Sequence, residues 1–431
     1  MQKTHRRYLS YLKYFGPGAV IACMTIGAGD IVLAPRIGAW AVPLYSALWI
    51  ITFAMITKIL TAYLATRYSL LSGEHIMTLF SRVRPHGWIN ILSLIIGFAL
   101  LPFMIATFLT ILGNVITVFT GTGDFIIWGV SLGLTIALFG YISSYKIIEK
   151  IQLVFVIFLS IGAIIAVVVV HPDWFAMFKS LFTPQVPRVA SWVTAEDIIA
   201  VPVMLQLAAI YGTMHGAYAD FTAYISWWRL RVQEKKIELK SEFMTGLKVD
   251  LLVSFTIVAI FMVAFLAAGV IILGQHHLVP NGVDLISQQQ SIYVVLSPFV
   301  GNYIYPIAMV GVIAGSIYAG MDATPRMIKA WADPLSTRVQ KIKFKRFQIY
   351  IVFYLLVTSV PLMFIQKPII LMTIYLLLTG VFGMWLLGWG ALWANQKQLP
   401  KEQRLGKAKF TLFVINNIAV TVFIVIIFVF L

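Results

Sequence analysis

Apolar runs of about 20 residues recur from one end of this chain to the other, each long enough to cross roughly 30 Å of hydrocarbon as a helix. Inside lipid every backbone N–H and C=O needs a protein partner, so only helices and closed barrels span it. Barrel strands would alternate apolar and polar residues over about ten positions. The runs here are longer and continuous, and so they are helices. The 431 residues are 60% hydrophobic and only 11% charged, against about 25% charged residues in a soluble domain. The sequence thus predicts an all-α integral membrane protein. Its spans fall at 15–41, 43–70, 88–118, 125–143, 148–171, 198–227, 247–274, 300–322, 347–365, 369–394 and 409–431.

The net charge of +16 could suggest nucleic acid, but its placement excludes that. With the N-terminus inside, 27 of the 32 Lys and Arg residues fall in cytoplasmic segments, as the positive-inside rule requires. The outer loops keep only Lys179, Arg188 and Lys367, while Arg36 and Lys58 fall inside spans 1 and 2. An extra or missing span would put a basic loop on the wrong side. The expected topology is multi-pass in the cell (plasma) membrane, N-terminus cytoplasmic and C-terminus extracytoplasmic. No basic stripe on a soluble module speaks for nucleic acid, and no obligate protein partner is called for beyond the lipid bilayer. Cys23 is the single cysteine, so no internal disulfide forms. The opening MQKTHRRYLSYLKYF reads as the basic cytoplasmic flank of span 1 rather than a cleaved signal. The outer loop 172–197, with Trp174, Trp192 and three prolines, reads as an ordered interfacial loop.

Ionisable groups inside lipid are costly and by default mark function. Few occur here. The centre of span 1 reads CMTIGAGDIVLAPRIG, where Gly27 and Gly29 weaken the helix and Asp30 follows at once. Span 6 reads AAIYGTMHGAYADFTAYISWW, where Gly212 and Gly216 flank Met214 and His215, and Asp220 comes four residues after Gly216. Each of these spans opens a group of five helices. Glycine-interrupted helices at matching positions of two halves point to a binding site built by inverted repeats, because a break frees carbonyls and half-helix dipoles at mid-membrane. Every candidate has a plainer reading. Asp30 and Asp220 could each be a cap instead of a ligand. His215 could be a satisfied core histidine, and Met214 packing rather than a soft ligand. Asp322 and Arg326 have the spacing of an intrahelical ion pair as well as a place in coupling or gating. Lys58 has the same alternative role, and its plainer reading is a side chain that snorkels to the interface.

These residues carry a resemblance. GPGAVIACMTIGAGDIVLAPRIGA resembles the first helix of the Nramp (natural resistance-associated macrophage protein) divalent-metal transporters of the APC superfamily, which begins Gly-Pro and carries D-P-G-N at its break. Counted without a gap from Gly16-Pro17, that motif falls on Gly27, Ala28, Gly29 and Asp30, so the aspartate stands at the fourth position instead of the first. YADFTAYISWW in span 6 and GMDATPRM after span 8 are similar to a divergent branch of the same family. The resemblance covers most of the chain. It implies a LeuT-like fold in a single transmembrane domain, 1–431: inverted five-helix repeats at 15–171 and 198–394, an eleventh helix at 409–431, and helices 1 and 6 broken. It also implies a secondary active transporter, not an enzyme. The cargo would be a divalent cation of the Mn/Fe/Mg class, moved by alternating access with protons as the second ion and no cofactor.

The sequence also departs from the family. The span 6 motif M-P-H-N is missing, span 3 has no acid, and span 9 has only Arg346 at its mouth. Span 10 offers Thr373 and Thr379 where the family has a polar Gln. Asp30 is expected to touch the cation, with Asp220, Met214, His215 and carbonyls near Gly27 and Gly212 completing the shell, and Gly29 and Gly216 as hinges. Two other readings stay open. The same fold could carry a small organic solute such as an amino acid. Gly27-Ala28-Gly29-Asp30 also spells the G-x-G-D of intramembrane aspartyl proteases, but it lies in the first helix, follows no Tyr-Asp, and the Pro-Ala-Leu of those enzymes is absent.

Overall fold

The computed structural model describes residues 16–27, 29–142, 145–194, 202–234, 241–281, 285–365 and 367–430. The parts of the expected spans and loops at 1–15, 28, 143–144, 195–201, 235–240, 282–284, 366 and 431 lie outside them. Within the described residues every expected span is a helix or a pair of helices. Nine are continuous: Trp49–Ser72, Trp88–Thr120, Phe125–Ile142, Tyr145–Val169, Ser241–Ala268 extended by a π turn at Gly269–Leu273, Val300–Ala332, Phe344–Met363, Ile369–Gln398 and Lys407–Val429. Spans 1 and 6 are interrupted. Span 1 runs Pro17–Thr25, breaks, and resumes through a π turn at Gly29–Leu33 into Ala34–Trp40. Span 6 runs Val203–Thr213, breaks, and resumes as Tyr218–Glu234.

Several boundaries differ from the expected ones, spans 6 and 7 among them with ends at Glu234 and Ser241, and two of the differences have local reasons. Span 2 starts at Trp49 rather than residue 43, because Ala41–Val42 forms a short strand antiparallel to Arg188–Val189 of the loop between spans 5 and 6. That loop is further tied down where the Trp49 indole donates to the Gln185 carbonyl at 2.7 Å and where Trp192 stacks on His277. Span 8 runs ten residues past 322. Ion pairs one turn apart, Arg326 with Asp322 and Lys329 with Asp333, carry its polar end as helix.

Burial separates the centre from the rim. In the most apolar stretch of span 8, 72% of residues are buried, against 28% in span 9 and 39% in span 11. Span 8 is therefore a central helix, while spans 9 and 11 face lipid with side chains such as Phe353 and Val429. Close helix approach places the site. A Cβ on Gly380 of span 10 would run into the Gly212 Cα, so the first half of span 6 meets span 10 backbone to backbone.

Candidate functional site

Both interrupted spans present backbone carbonyls to a side-chain donor from another helix, in the π turn that restarts span 1 and at the break of span 6, and the two donors differ. In span 1, the Gln289 side-chain amide donates to the carbonyls of Ile31 (2.9 Å) and Val32 (3.3 Å), and the Tyr305 hydroxyl donates to the Gln289 carbonyl oxygen. That is a neutral partner, brought by the short helix Leu285–Val294 between spans 7 and 8. In span 6 the partner is charged. The Lys58 ammonium donates to the carbonyls of Gly212 (2.9 Å), Met214 (3.1 Å) and Gly216 (2.7 Å). Lys58 is completely buried, so the snorkelling expected of it does not occur. Its extended stem is directed inward by the negative C-terminal end of a half-helix.

The break in span 6 is built on backbone geometry. His215 has φ 54° and Gly216 φ 88°, the left-handed region that glycine enters freely and other residues rarely. Gly212 does something else: it is the last turn of a regular helix, packed on Leu376. Asp220 accepts from the Ala217 N–H at 2.6 Å, the reach of a carboxylate back to the start of its own helix. It also lines the central cavity.

Asp30 is in a different state. It sits in the π turn that restarts span 1 and is completely buried, and neither carboxylate oxygen has a hydrogen-bond partner among the described residues. Thr213 lies beside it, but the Thr213 hydroxyl proton goes to the Ile210 carbonyl. Buried carboxylates are ordinarily satisfied, and one that is not points to something the protein binds. His215 is also fully buried, stacked on Phe255 at 3.9 Å between ring centroids, with neither nitrogen partnered among the described residues. The Met214 side chain is buried as well and is not on the cavity wall.

The cavity between the two breaks measures about 40 Å³. Its walls are Thr25 of span 1, Thr213, Gly216, Ala217 and Asp220 of span 6, Met104 of span 3, Ser316 of span 8, and Met372 and Tyr375 of span 10. Thr373 and Thr379, the polar residues expected of span 10, bond back to their own helix at the carbonyls of Ile369 and Tyr375. Tyr375, whose hydroxyl has no partner among the described residues, takes their place on the wall. Asp322 and Arg326 lie away from this cavity and pair with each other at 2.8 and 3.1 Å. Among the described residues no three His, Cys, Asp or Glu side chains form a closed metal cage.

Sequence reasoning missed Asp250 in span 7. Its carboxylate accepts from the N–H groups of Gly16 and Gly18 (both 3.0 Å), the Tyr224 hydroxyl (2.8 Å) and the Trp228 indole (3.2 Å). It thereby caps the start of span 1 and ties it to spans 6 and 7. It also missed the pairing of buried Arg36 with Gln206 at 2.9 Å, between the second half of span 1 and the first half of span 6.

The family model for natural resistance-associated macrophage protein-like sequences matches residues 18–431. No curated protein sequence matches the chain significantly. Among solved structures, a histidine-to-alanine variant of the manganese transporter of Eremococcus coleocola is similar at 14% identity and a TM-score of 0.69, covering 96% of this chain and 86% of that one. MhsT in complex with L-phenylalanine is similar at 15% identity and a TM-score of 0.59, covering 96% and 98%. A nucleobase-cation-symport-1 family transporter with bound bromovinylhydantoin is similar at 11% identity and a TM-score of 0.54, covering 92% and 80%. At these identities the likeness is one of fold, the LeuT-like arrangement of two inverted five-helix repeats with helices 1 and 6 broken.

Proposed function

The chain belongs to the natural resistance-associated macrophage protein-like (Nramp) family, and from that premise we propose how its own residues move a divalent metal cation by alternating access between its two broken helices. It is a membrane transporter rather than an enzyme, and the metal is its cargo rather than a cofactor. The observation that carries the proposal is the buried carboxylate of Asp30 at the restart of span 1, unpartnered among the described residues. A divalent ion would supply the missing partner. Asp220 is the carboxylate on the cavity wall, Asp30 lies behind that wall beside Thr213, and the nearby charge of Lys58 leaves the three groups one formal negative charge in excess.

Cavity size bears on the cargo. A drug-sized organic ligand needs roughly 300–1,000 Å³. The 40 Å³ here holds an ion and a residual water. Oxygen donors from carboxylates, carbonyls and water suit hard ions. Thioether from Met104 or Met372, both on the wall, would admit softer ones. We read the cargo as the Mn/Fe/Mg class. A proton as second ion belongs to the same reading, with the buried imidazole of His215, unpartnered among the described residues, as its carrier. The repeats in this reading are 15–171 and 198–394. The membrane is the plasma membrane, with the basic loops inside.

Purified protein in liposomes, with a metal-sensitive and a pH-sensitive dye inside, tests this against Mn²⁺, Mg²⁺, Cd²⁺ and a panel of amino acids. We expect uptake of Mn²⁺ or Mg²⁺ and a loss of roughly a hundredfold in Asp30→Asn, the scale of removing a charged partner at a buried site. The organic-solute reading has one observation in its favour, that Lys58 already occupies the span 6 carbonyls. Uptake of an amino acid with no movement of any divalent ion would establish it.

A further inference from the structure

The first half of span 6 ends at mid-membrane with its negative pole exposed, where water cannot screen it. Such an end needs a cation. The Lys58 ammonium meets it with its full donor capacity: three protons, and three carbonyl acceptors at 2.7 to 3.1 Å. The Nζ also lies 5.0 Å from the centre of the Tyr211 ring, within range of a cation–π contact. That ring is fixed by its hydroxyl, 3.1 Å from the Thr57 hydroxyl on the residue next to Lys58. A compact, fully desolvated point charge held by carbonyls has the ligand chemistry of a bound monovalent cation. Here the cation is covalently attached to span 2, while its ligands belong to the break of span 6.

We infer that Lys58 is a tethered cation that permanently occupies a monovalent-ion position in the sixth helix, and that it positions the break so that cargo binds and moves without Na⁺ or K⁺. The inference rests on the reading of the molecule as a transporter and goes beyond its cargo. One consequence concerns the cargo's ligands. The carbonyls of Gly212, Met214 and Gly216 are directed at Lys58 and are removed from the cation's shell. The cargo is left to Asp30, Asp220 and the walls contributed by spans 3 and 10. A second consequence is mechanical. The tether binds span 2 to the interrupted helix of the other repeat and leaves the site only if span 2 moves with it.

The test uses the full-length protein in liposomes, in choline, Na⁺, K⁺ and methylammonium media. The unmodified protein should take up divalent cation equally in choline, Na⁺ and K⁺ media. Lys58→Ala opens a void with three unsatisfied carbonyls at one end. In choline medium it should lose activity by roughly a hundredfold, and methylammonium, Na⁺ or K⁺ should restore it by roughly tenfold, since leaving buried acceptors unpaired costs what a small cation can return. A purely structural lysine would not be rescued by a free cation. Wild-type uptake that stops in choline overturns the inference. So does a folded Lys58→Ala protein that is fully active in choline, or one that stays inert with every cation. Thermal unfolding of the purified variant separates this from the cargo question. Methylammonium should raise the melting temperature of Lys58→Ala and leave the unmodified protein unchanged, and that reading holds even if no divalent ion is transported. Should Lys58→Ala be recovered only when purified in methylammonium, the inference stands; should methylammonium make no difference to its recovery or melting, it fails.

Discussion

Asp30 and Asp250 are both completely buried carboxylates in one helical bundle, yet Asp250 accepts four hydrogen bonds and Asp30 none among the described residues. A satisfied buried acid stabilises the fold, and an unsatisfied one costs it. Asp250→Asn should therefore lower the melting temperature in detergent, because a neutral amide weakens the charge-assisted cap on span 1. Asp30→Asn should leave that temperature unchanged or raise it while cation uptake falls by the roughly hundredfold expected for a lost charged partner. Paired melting and uptake measurements on the two variants check this; equal destabilisation by both would make Asp30 a structural acid. The cost of charge in lipid made Asp30 legible in the sequence. The same rule applies to Asp250, but it stands two residues from Lys248 near the end of a span, where a charge reads as interfacial. His75 is a third case, outside the spans. Its Nδ1 accepts from the Met77 N–H and its Nε2 faces the Thr222 carbonyl, and burial pushes the imidazole down to about 4. A depressed histidine is neutral in the fold, so stability should fall as pH drops from about 6.5 toward 4, by about 3 kcal/mol in all. His75→Gln should flatten that dependence in melting curves taken across pH.

At the scale of elements, the two breaks were readable as breaks, because glycines beside an acid in matching spans have few other uses in lipid. The separate work of each glycine was not readable, since it depends on what packs against the chain. Gly216 has the left-handed backbone, and a Cβ there would lie 2.9 Å from the Asp220 carboxylate. Gly212 is helical, and a Cβ there would lie 2.7 Å from the Leu376 side chain and 2.9 Å from its carbonyl oxygen. Gly216→Ala should cost about 1–2 kcal/mol for the left-handed conformation and disturb the Asp220 cap, so uptake should fall. Gly212→Ala should act through helix packing instead and separate span 6 from span 10. Uptake normalised to folded protein, with a cysteine cross-link between spans 6 and 10 as the packing readout, distinguishes them. Normal uptake by Gly216→Ala would mean that the second half of span 6 restarts without that turn. The Lys58 contact shows the same limit of legibility. Span 2 and span 6 are far apart in sequence, and nothing local to Lys58 announces three carbonyls from another helix.

For the whole molecule, eleven spans were legible because hydrophobic length and loop charge are additive along the chain and do not depend on how helices pack. Side-to-side order, central against peripheral, came only with the packing of spans 3, 8 and 10 around the cavity. The sidedness of the bundle is a prediction in its own right. The loop after span 8 and the first turn of span 9 carry Arg338, Lys341, Lys343, Lys345 and Arg346, and the loop that pairs with the end of span 1 carries Lys179 and Arg188. Moving a cluster of five cations across hydrocarbon during insertion is far costlier than moving two. The first loop should therefore stay in the cytoplasm. Lys341 and Phe182 are both exposed at the surface of the fold, so a cysteine at either is reachable from its own side. With Cys23 replaced, Phe182→Cys in intact cells should react with a membrane-impermeant maleimide. Lys341→Cys should react only after the membrane is opened. Labelling of position 341 from outside would invert the molecule, and the end of span 6 held by Lys58 would then belong to the opposite half of the transport cycle.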